Sequence, residues 1–388
     1  MITERTKHLE YAIRDVVLPA KKLEAQGHKI LKLNIGDPCK YDFDAPEQAK
    51  QAYIQAIKDG KSFYSNSNGV EEARQAIAER EQRINQIETN PDQVRVTSGV
   101  SETINFICAS LMQNKEEMLV PSPSYPQYLS FPPFYGGKAV EYKCDPSDWH
   151  PDIDDIKEKI SDKTRAISII NPNNPTGAIY SKKTLEAIIE LAIDHDLIIT
   201  SDEIYDEIIF DEYHCPTKLA VDKGAKVVQM NGMSKNFFAP GWRVGYSVFH
   251  NCDELMEACS KQGRTRLCPS TPAQYALAHC MNGCRKFLEE NKKRVLNRIN
   301  IIDKRCKEIG FDLVKPKGAF YAFPSIGDVD DKQWVYDLLH EKHVLTVFGS
   351  GFGEQGKGHF RLVALPQEEV LEEAFDRIAE FVEERKRI

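Results

Sequence analysis

Between residues 45 and 280, short β-branched runs alternate with longer helical ones, and this alternation limits the possible folds more than anything else in the chain. Val94-Arg95-Val96-Thr97 reads as a strand and Ser101 to Gln113 as the helix after it. Met118-Leu119-Val120, Lys138 to Lys143, Lys226 to Asn231 and Val244 to Phe249 are further strand candidates. The run from Arg165 to Ile170 is nearly continuous apolar, as expected of a strand covered on both faces. Leu185, Ile188, Ile189, Ala192 and Ile193 then recur at helical spacing, which predicts one apolar stripe, and Leu197-Ile198-Ile199-Thr200 returns to strand. Such alternation predicts an α/β fold with a mostly parallel sheet wrapped by helices.

The texture changes after residue 280. A long charged helix is expected from Arg285 to Ile309, with short strands around Phe311 to Val314 and Ala319 to Phe323. A helix from Trp334 to His340, a strand from Val344 to Val347 and a last helix from Glu368 to Glu384 follow. At the other end, one helix from about Tyr11 to Gln26 precedes the β-rich Leu31-Lys32-Leu33-Asn34-Ile35. A chain of 388 residues exceeds the usual size of one core. Two domains are therefore expected: residues 45–280 as the large α/β one, and residues 1–44 with 281–388 as a smaller α+β one.

Charge and cysteine usage exclude several classes of function. A net charge of −8 and a sequence pI of about 5.8 leave no basic footprint for nucleic acid. The basic residues of Glu383-Glu384-Arg385-Lys386-Arg387 read instead as the end of the last helix, where cations complement its dipole. No apolar run nears the roughly 20 residues that span a bilayer. Met1 to Glu10 is charged and lacks the apolar centre of a secretory signal. The closest pair among the scattered cysteines, Cys280 and Cys284, has no neighbours to complete a zinc site, so no metal centre is expected. Many cysteines lie in apolar runs as free thiols, which suits a reducing cytoplasm.

The chemistry gathers where expected strands end, which is where open α/β sheets bind ligands. Ser234-Lys235-Asn236-Phe237-Phe238-Ala239-Pro240-Gly241-Trp242-Arg243-Val244-Gly245 sets one amine just past a strand, with an arginine eight residues on. A lysine presented this way can form a Schiff base with an aldehyde while the arginine holds an anion nearby. Ser98-Gly99-Val100-Ser101-Glu102 opens a helix whose free N–H groups and Ser101 hydroxyl suit a phosphate, although a serine there is also a good cap. Asn171-Pro172-Asn173-Asn174-Pro175-Thr176-Gly177 is a rigid turn that fixes asparagine amides as donors. Ser201-Asp202-Glu203-Ile204-Tyr205 sets a carboxylate at a strand end, fit to pair with a protonated ring nitrogen, and a phenol within one helical turn of it.

In order, spacing and residue type, Asn171 to Gly177, Ser201 to Tyr205 and Ser234 to Gly245 together resemble the class I/II aminotransferases. These are pyridoxal 5′-phosphate (PLP) enzymes of fold type I, and the likeness runs from about Tyr11 to Phe381. Tyr11-Ala12-Ile13-Arg14, Leu33-Asn34-Ile35-Gly36-Asp37-Pro38, Asn231-Gly232-Met233-Ser234-Lys235 and Gly358-His359-Phe360-Arg361 are most similar to the alanine aminotransferases of bacteria and archaea. The resemblance implies a mostly parallel, seven-stranded sheet in the large domain. It also implies a role for each candidate residue. Lys235 would carry PLP and later move the substrate Cα proton, while Asp202 would keep the ring nitrogen protonated. Tyr205 and Asn174 would bond the ring oxygen, and Tyr125 would stack on the ring. Val100, Ser101 and Arg243 would hold the phosphate. Many relatives carry a serine three residues before the lysine; Gly232 stands there in this chain, so either Ser234 takes that contact or the site does without it.

On the substrate side, Arg361 would bind the α-carboxylate with Asn174 beside it, Gly36 would let the backbone come close, and Tyr11 and Arg14 would lie near the side chain. Tyr64 would reach the phosphate of a neighbouring subunit, making the working unit a homodimer. The implied activity is ping-pong exchange of an amino group between L-alanine and 2-oxoglutarate through pyridoxamine phosphate. Arg14 is the candidate for glutamate's second carboxylate. Aspartate or aromatic aminotransfer would use the same core, and a PLP carbon–sulfur β-lyase would keep Lys235, Asp202 and Arg361. A PLP-binding regulator would need a DNA-binding region ahead of the fold, and little chain precedes Leu33.

Overall fold

The computed structural model describes residues 4–6, 9 and 11–386. The reading of Arg387, and most of that of Met1 to Glu10, falls on residues outside this set. Seven strands form one sheet: β1 (Val94–Thr97), β2 (Glu117–Ser122), β3 (Lys138–Lys143), β4 (Thr164–Ile170), β5 (Ile198–Asp202), β6 (Val227–Gly232) and β7 (Gly245–His250). Their spatial order is β1-β7-β6-β5-β4-β2-β3. Only β7 runs antiparallel to its neighbours, so the sheet is mostly parallel as expected.

Parallel neighbours require crossovers, and helices such as α1 (Val100–Leu111) and α2 (Lys182–Asp194) lie between successive strands. β4 is buried at every residue except Arg165, which accounts for its apolar run. At the start of α2 the Ser181 hydroxyl accepts the Thr184 N–H at 3.2 Å, and the helix buries Leu185, Ile188, Ile189 and Ala192. Ile193, expected on the same stripe, is 42% exposed. Eight residues after Leu185, it is turned about 80° around a helix of 3.6 residues per turn, off the packed face.

The register brings the candidate segments to one edge. β1, β4, β5 and β6 all end there, and β7 begins there, with Gly245 opposite both Thr97 and Gly232. Away from this sheet the two ends of the chain meet: Leu31–Lys32 pairs in parallel with Val344–Leu345. β8 (Tyr321–Ala322), β9 (Val347–Phe348) and β10 (Phe360–Val363) form a second, antiparallel sheet in the order β9-β10-β8.

Three expectations need correction. The strand read as Val344 to Val347 is two strands in two sheets, with Thr346 between them. Phe311 to Val314 makes only an isolated bridge, Asp312 opposite Ser325, because the nearby Pro316 and Pro324 have no N–H with which to extend a ladder. The helix read from Tyr11 to Gln26 breaks at Val16 into Ala12–Asp15 and Val17–Ala25. Pro19 is the cause, since it cannot donate to the Asp15 carbonyl and its ring crowds that oxygen.

Candidate active site

All the candidate residues except Tyr64 line a single cavity of about 440 Å³ at that edge. Tyr64 is 80% exposed on the outer surface.

Lys235 stands on the four-residue helix Met233–Asn236 that follows β6. Its amine donates to the Gly36 carbonyl at 2.6 Å and lies 5.7 Å from the Phe320 ring centre. Burial, then the Arg361 charge, lowers the amine to about 8. Near neutrality it is therefore deprotonated far more often than an ordinary lysine. A Cβ on Gly36 would lie 2.1 Å from the Tyr321 hydroxyl, so what this glycine admits is the Tyr321 phenol.

Asp202 ends β5. Its carboxylate accepts from the Tyr128 hydroxyl at 2.9 Å and from the Ile204 N–H at 3.3 Å. Both donors are neutral, and burial raises the carboxyl to about 6. A cationic ring nitrogen would supply the charge this group lacks. The Tyr205 and Tyr321 hydroxyls lie 3.0 Å apart.

The anion-binding end is built mostly from backbone. Gly99 caps α1 at φ 80 with no side-chain capping bond, so Ser101 sits inside the first turn and is not the cap. The first N–H groups of a helix have no intrahelical partner, and Val100 and Ser101 present theirs here. Arg243, in the left-handed region at φ 54, donates to the Ser98 carbonyl at 2.9 Å and the Pro240 carbonyl at 3.1 Å. A Cβ on Gly99 would lie 2.5 Å from Arg243 Nη2. One on Gly245 would lie 2.8 Å from the Val100 nitrogen, and one on Gly232 would lie 2.6 Å from the Gly245 Cα. A serine at 232 thus has no room, and Ser234 lines the cavity instead.

Arg361, on β10, is 1% exposed. Its Nη1 donates to Asn174 Oδ1 at 3.0 Å and its Nη2 to the Asn34 carbonyl at 2.7 Å. The Tyr321 and Phe352 ring centres lie 4.5 and 4.8 Å from the guanidinium carbon, and the buried Nε has no partner. A buried guanidinium held only by neutral acceptors is a receptor for an anion. Because arginine only donates, Asn174 turns its oxygen to Arg361 and keeps its amide N–H₂ available. The oxygens of the other two asparagines of the turn are spent internally, Asn171 Oδ1 on the Tyr180 N–H at 2.9 Å and Asn173 Oδ1 on Thr176 Oγ1 at 2.9 Å, while the buried Asn171 Nδ2 has no partner.

The Tyr125 and Tyr11 hydroxyls lie 2.7 Å apart across the cavity wall, and Arg14 is exposed at the rim. Sequence reasoning missed Tyr128, Tyr321 and Phe352. Tyr321 lies in an apolar run, Tyr128 between Gln127 and Leu129, and Phe352 between two glycines, and only the three-dimensional arrangement assigns them to the site. An amine, a buried carboxylate, a helix start beside an arginine, and a second, buried arginine suit an aldehyde, a ring nitrogen, a phosphate and a carboxylate respectively. These residues fit PLP with an amino acid next to it.

The chain matches the family described as aminotransferase class I and II over residues 28–378. It is 38% identical over 404 residues to the glutamate-pyruvate aminotransferase AlaA of Escherichia coli strain K12, covering 98% of each chain. It is 36% identical over 371 residues to aromatic-amino-acid aminotransferase 2 of Thermococcus litoralis, covering 93% of this chain and 94% of the other. Among solved structures, an alanine aminotransferase from Pyrococcus furiosus superposes with a TM-score of 0.96 at 49% identity, covering 99% of this chain and 100% of that one. Fold, cavity and full-length likeness agree: this chain belongs to the class I and II aminotransferases, enzymes that work with PLP.

Proposed function

We propose that this chain exchanges an amino group between L-alanine and 2-oxoglutarate in a ping-pong reaction. The observation that carries the reading is that the lowered amine of Lys235 and the buried, anion-free guanidinium of Arg361 face one cavity. The choice of alanine draws on the likeness to the Escherichia coli and Pyrococcus furiosus enzymes.

Asp202, Tyr205, Asn174 and Tyr125 would hold the PLP ring, and Val100, Ser101, Ser234 and Arg243 its phosphate. When bound, PLP supplies an electron-withdrawing ring that stabilises negative charge on the substrate Cα. Lys235, as free amine, would take the Cα proton and hold it for delivery to the cofactor side of the C–N bond rather than back to Cα. Arg361 clamps the α-carboxylate, with its unpartnered Nε supplying a further donor, and so fixes Cα beside the amine. Arg14 at the rim offers a charge to the second carboxylate of glutamate, which alanine does not carry.

The exposed Phe63 and Tyr64, at 53% and 80%, support a homodimer with this segment in its interface. The cysteines, all free thiols, support a cytoplasmic setting. The pairing of Leu31–Lys32 with Val344–Leu345 supports residues 1–44 and 281–388 as one small domain beside 45–280. The likeness to the Thermococcus litoralis enzyme keeps aromatic donors as the second reading.

The test is a half-reaction. PLP-loaded enzyme mixed with L-alanine and no acceptor should release one equivalent of pyruvate and leave the cofactor aminated. Catalytic release of ammonia and a thiol from an S-substituted cysteine in place of L-alanine would point to a β-lyase, and faster reaction with L-phenylalanine or L-aspartate would overturn the choice of donor. Turnover by Lys235→Ala at the unmodified rate would sink the mechanism.

A further inference from the structure

Asn236 follows Lys235 and Asp206 follows Tyr205, and these two neighbours are bonded to each other. Asn236 Nδ2 donates to Asp206 Oδ1 at 2.7 Å and lies 3.2 Å from Asn231 Oδ1. Its Oδ1 accepts the Glu207 N–H at 3.3 Å. One side chain therefore ties the end of β6 and the turn after β5 to the helix that carries the lysine. Asp206 is fixed from behind by Arg80, whose Nη2 lies 2.7 Å from Asp206 Oδ2 and 3.1 Å from Glu207, with Nη1 2.7 Å from Glu81. Arg80, Asp206 and Asn236 are all buried, and none of them lines the cavity.

A helix of four residues cannot hold its own orientation, so the direction of the Lys235 side chain depends on tertiary anchors. We propose that Asn236 is a positioning residue: held by Asp206 and Arg80, it fixes the Lys235 amine relative to the Tyr205 phenol. The inference rests on the roles proposed above for those two residues. Both single-residue offsets matter, because the bond joins the immediate neighbours of two groups that must meet the same ligand. Displacement of the amine by ~1 Å costs on the order of a hundredfold in a proton transfer.

The test uses the PLP-loaded enzyme and the absorbance of its lysine–cofactor linkage as a function of pH. The charged groups around the Lys235 amine are Arg361, Asp37, Arg243 and Asp202, the Tyr205 phenol lines the same cavity, and Asn236→Ala leaves all of them in place. That variant should lower kcat about 10- to 100-fold, with KM for L-alanine within about threefold. It should also move the midpoint of the absorbance titration by more than about half a pH unit. The single variants Asp206→Asn and Asn236→Asp should do the same. The double variant Asp206→Asn with Asn236→Asp restores an amide-to-carboxylate bond of reversed polarity while residue 206 still offers an oxygen to Arg80, and it should recover most of the loss. It carries the test by itself if Asn236→Ala does not fold. A lower melting temperature with wild-type kcat and midpoint would make Asn236 merely structural, and a double variant no better than the singles would overturn the proposal. Wild-type absorbance that survives Lys235→Ala would instead refute the reading of the site on which the proposal rests.

Discussion

Arg80 and Arg361 are both buried, yet the protein treats them in opposite ways. Arg80 is surrounded by Glu81, Asp206 and Glu207, all within 3.1 Å, so its neighbourhood holds more negative charge than positive. Arg361 has only amide oxygens and aromatic rings around it, and one of its nitrogens has no partner. The first arginine is finished by the fold and the second by a ligand. The difference separates a group that holds the molecule together from one kept at a cost for function, and burial alone would not distinguish them.

Removing each charge should break that comparison in opposite directions. Arg80→Met takes the cation away from buried Glu81 and Asp206, while Glu207 keeps Arg285 at 3.1 Å. Urea unfolding should register a loss of about 3–5 kcal/mol. Arg361→Leu should cost about 3 kcal/mol in kcat/KM for every amino acid donor, while the melting temperature holds or rises because an unmatched charge has gone. If Arg361→Leu instead unfolds the protein, the contrast between the two sites is false.

A third effect sharpens the electrostatics around Arg80. Gln229 Nε2 bridges Glu81 at 2.9 Å to Glu203 at 3.1 Å, and burial raises the Glu203 carboxyl to about 7 from an ordinary 4.5. The folded state then binds this proton more tightly than the unfolded chain. Its contribution is fully present below about 4.5 and is lost as pH rises through about 7. Relative to Glu203→Gln, the wild-type apoprotein should accordingly lose on the order of 3 kcal/mol between these limits. Equal slopes for wild type and Glu203→Gln across the window would contradict this. The smallest effect belongs to the rim: Arg14→Ala should cost about 1 kcal/mol toward glutamate and 2-oxoglutarate and nothing toward alanine, measured as separate KM values.

The sheet was legible in sequence where strands are covered on both faces, because burial there demands continuous apolar residues; β4 is the example. It was less legible past residue 310, where strands of two residues are too short to impose a period and a single proline decides their extent. At the site, Lys235, Asp202 and Asn174 stood out because turn chemistry surrounds them. Tyr128, Tyr321 and Phe352 did not. Each orients a charged or phenolic group from a distant part of the chain, and no local pattern encodes such a contact. The purpose of Gly36 was likewise hidden, since it is set by Tyr321, far along the sequence.

The contact of Gly232, Gly245 and Gly99 bears on how such a pocket can change over time. Three separate stretches of main chain touch there, and a methyl group on any one of them would meet another stretch or Arg243. A point mutation at this end cannot adjust the grip on an anion gradually; it must shift two other stretches as well. At the opposite rim, by contrast, Arg14 and Tyr11 stand on a separate helix start and can be exchanged without moving that main chain. New donor preferences would arise there, on a cofactor seat that stays the same.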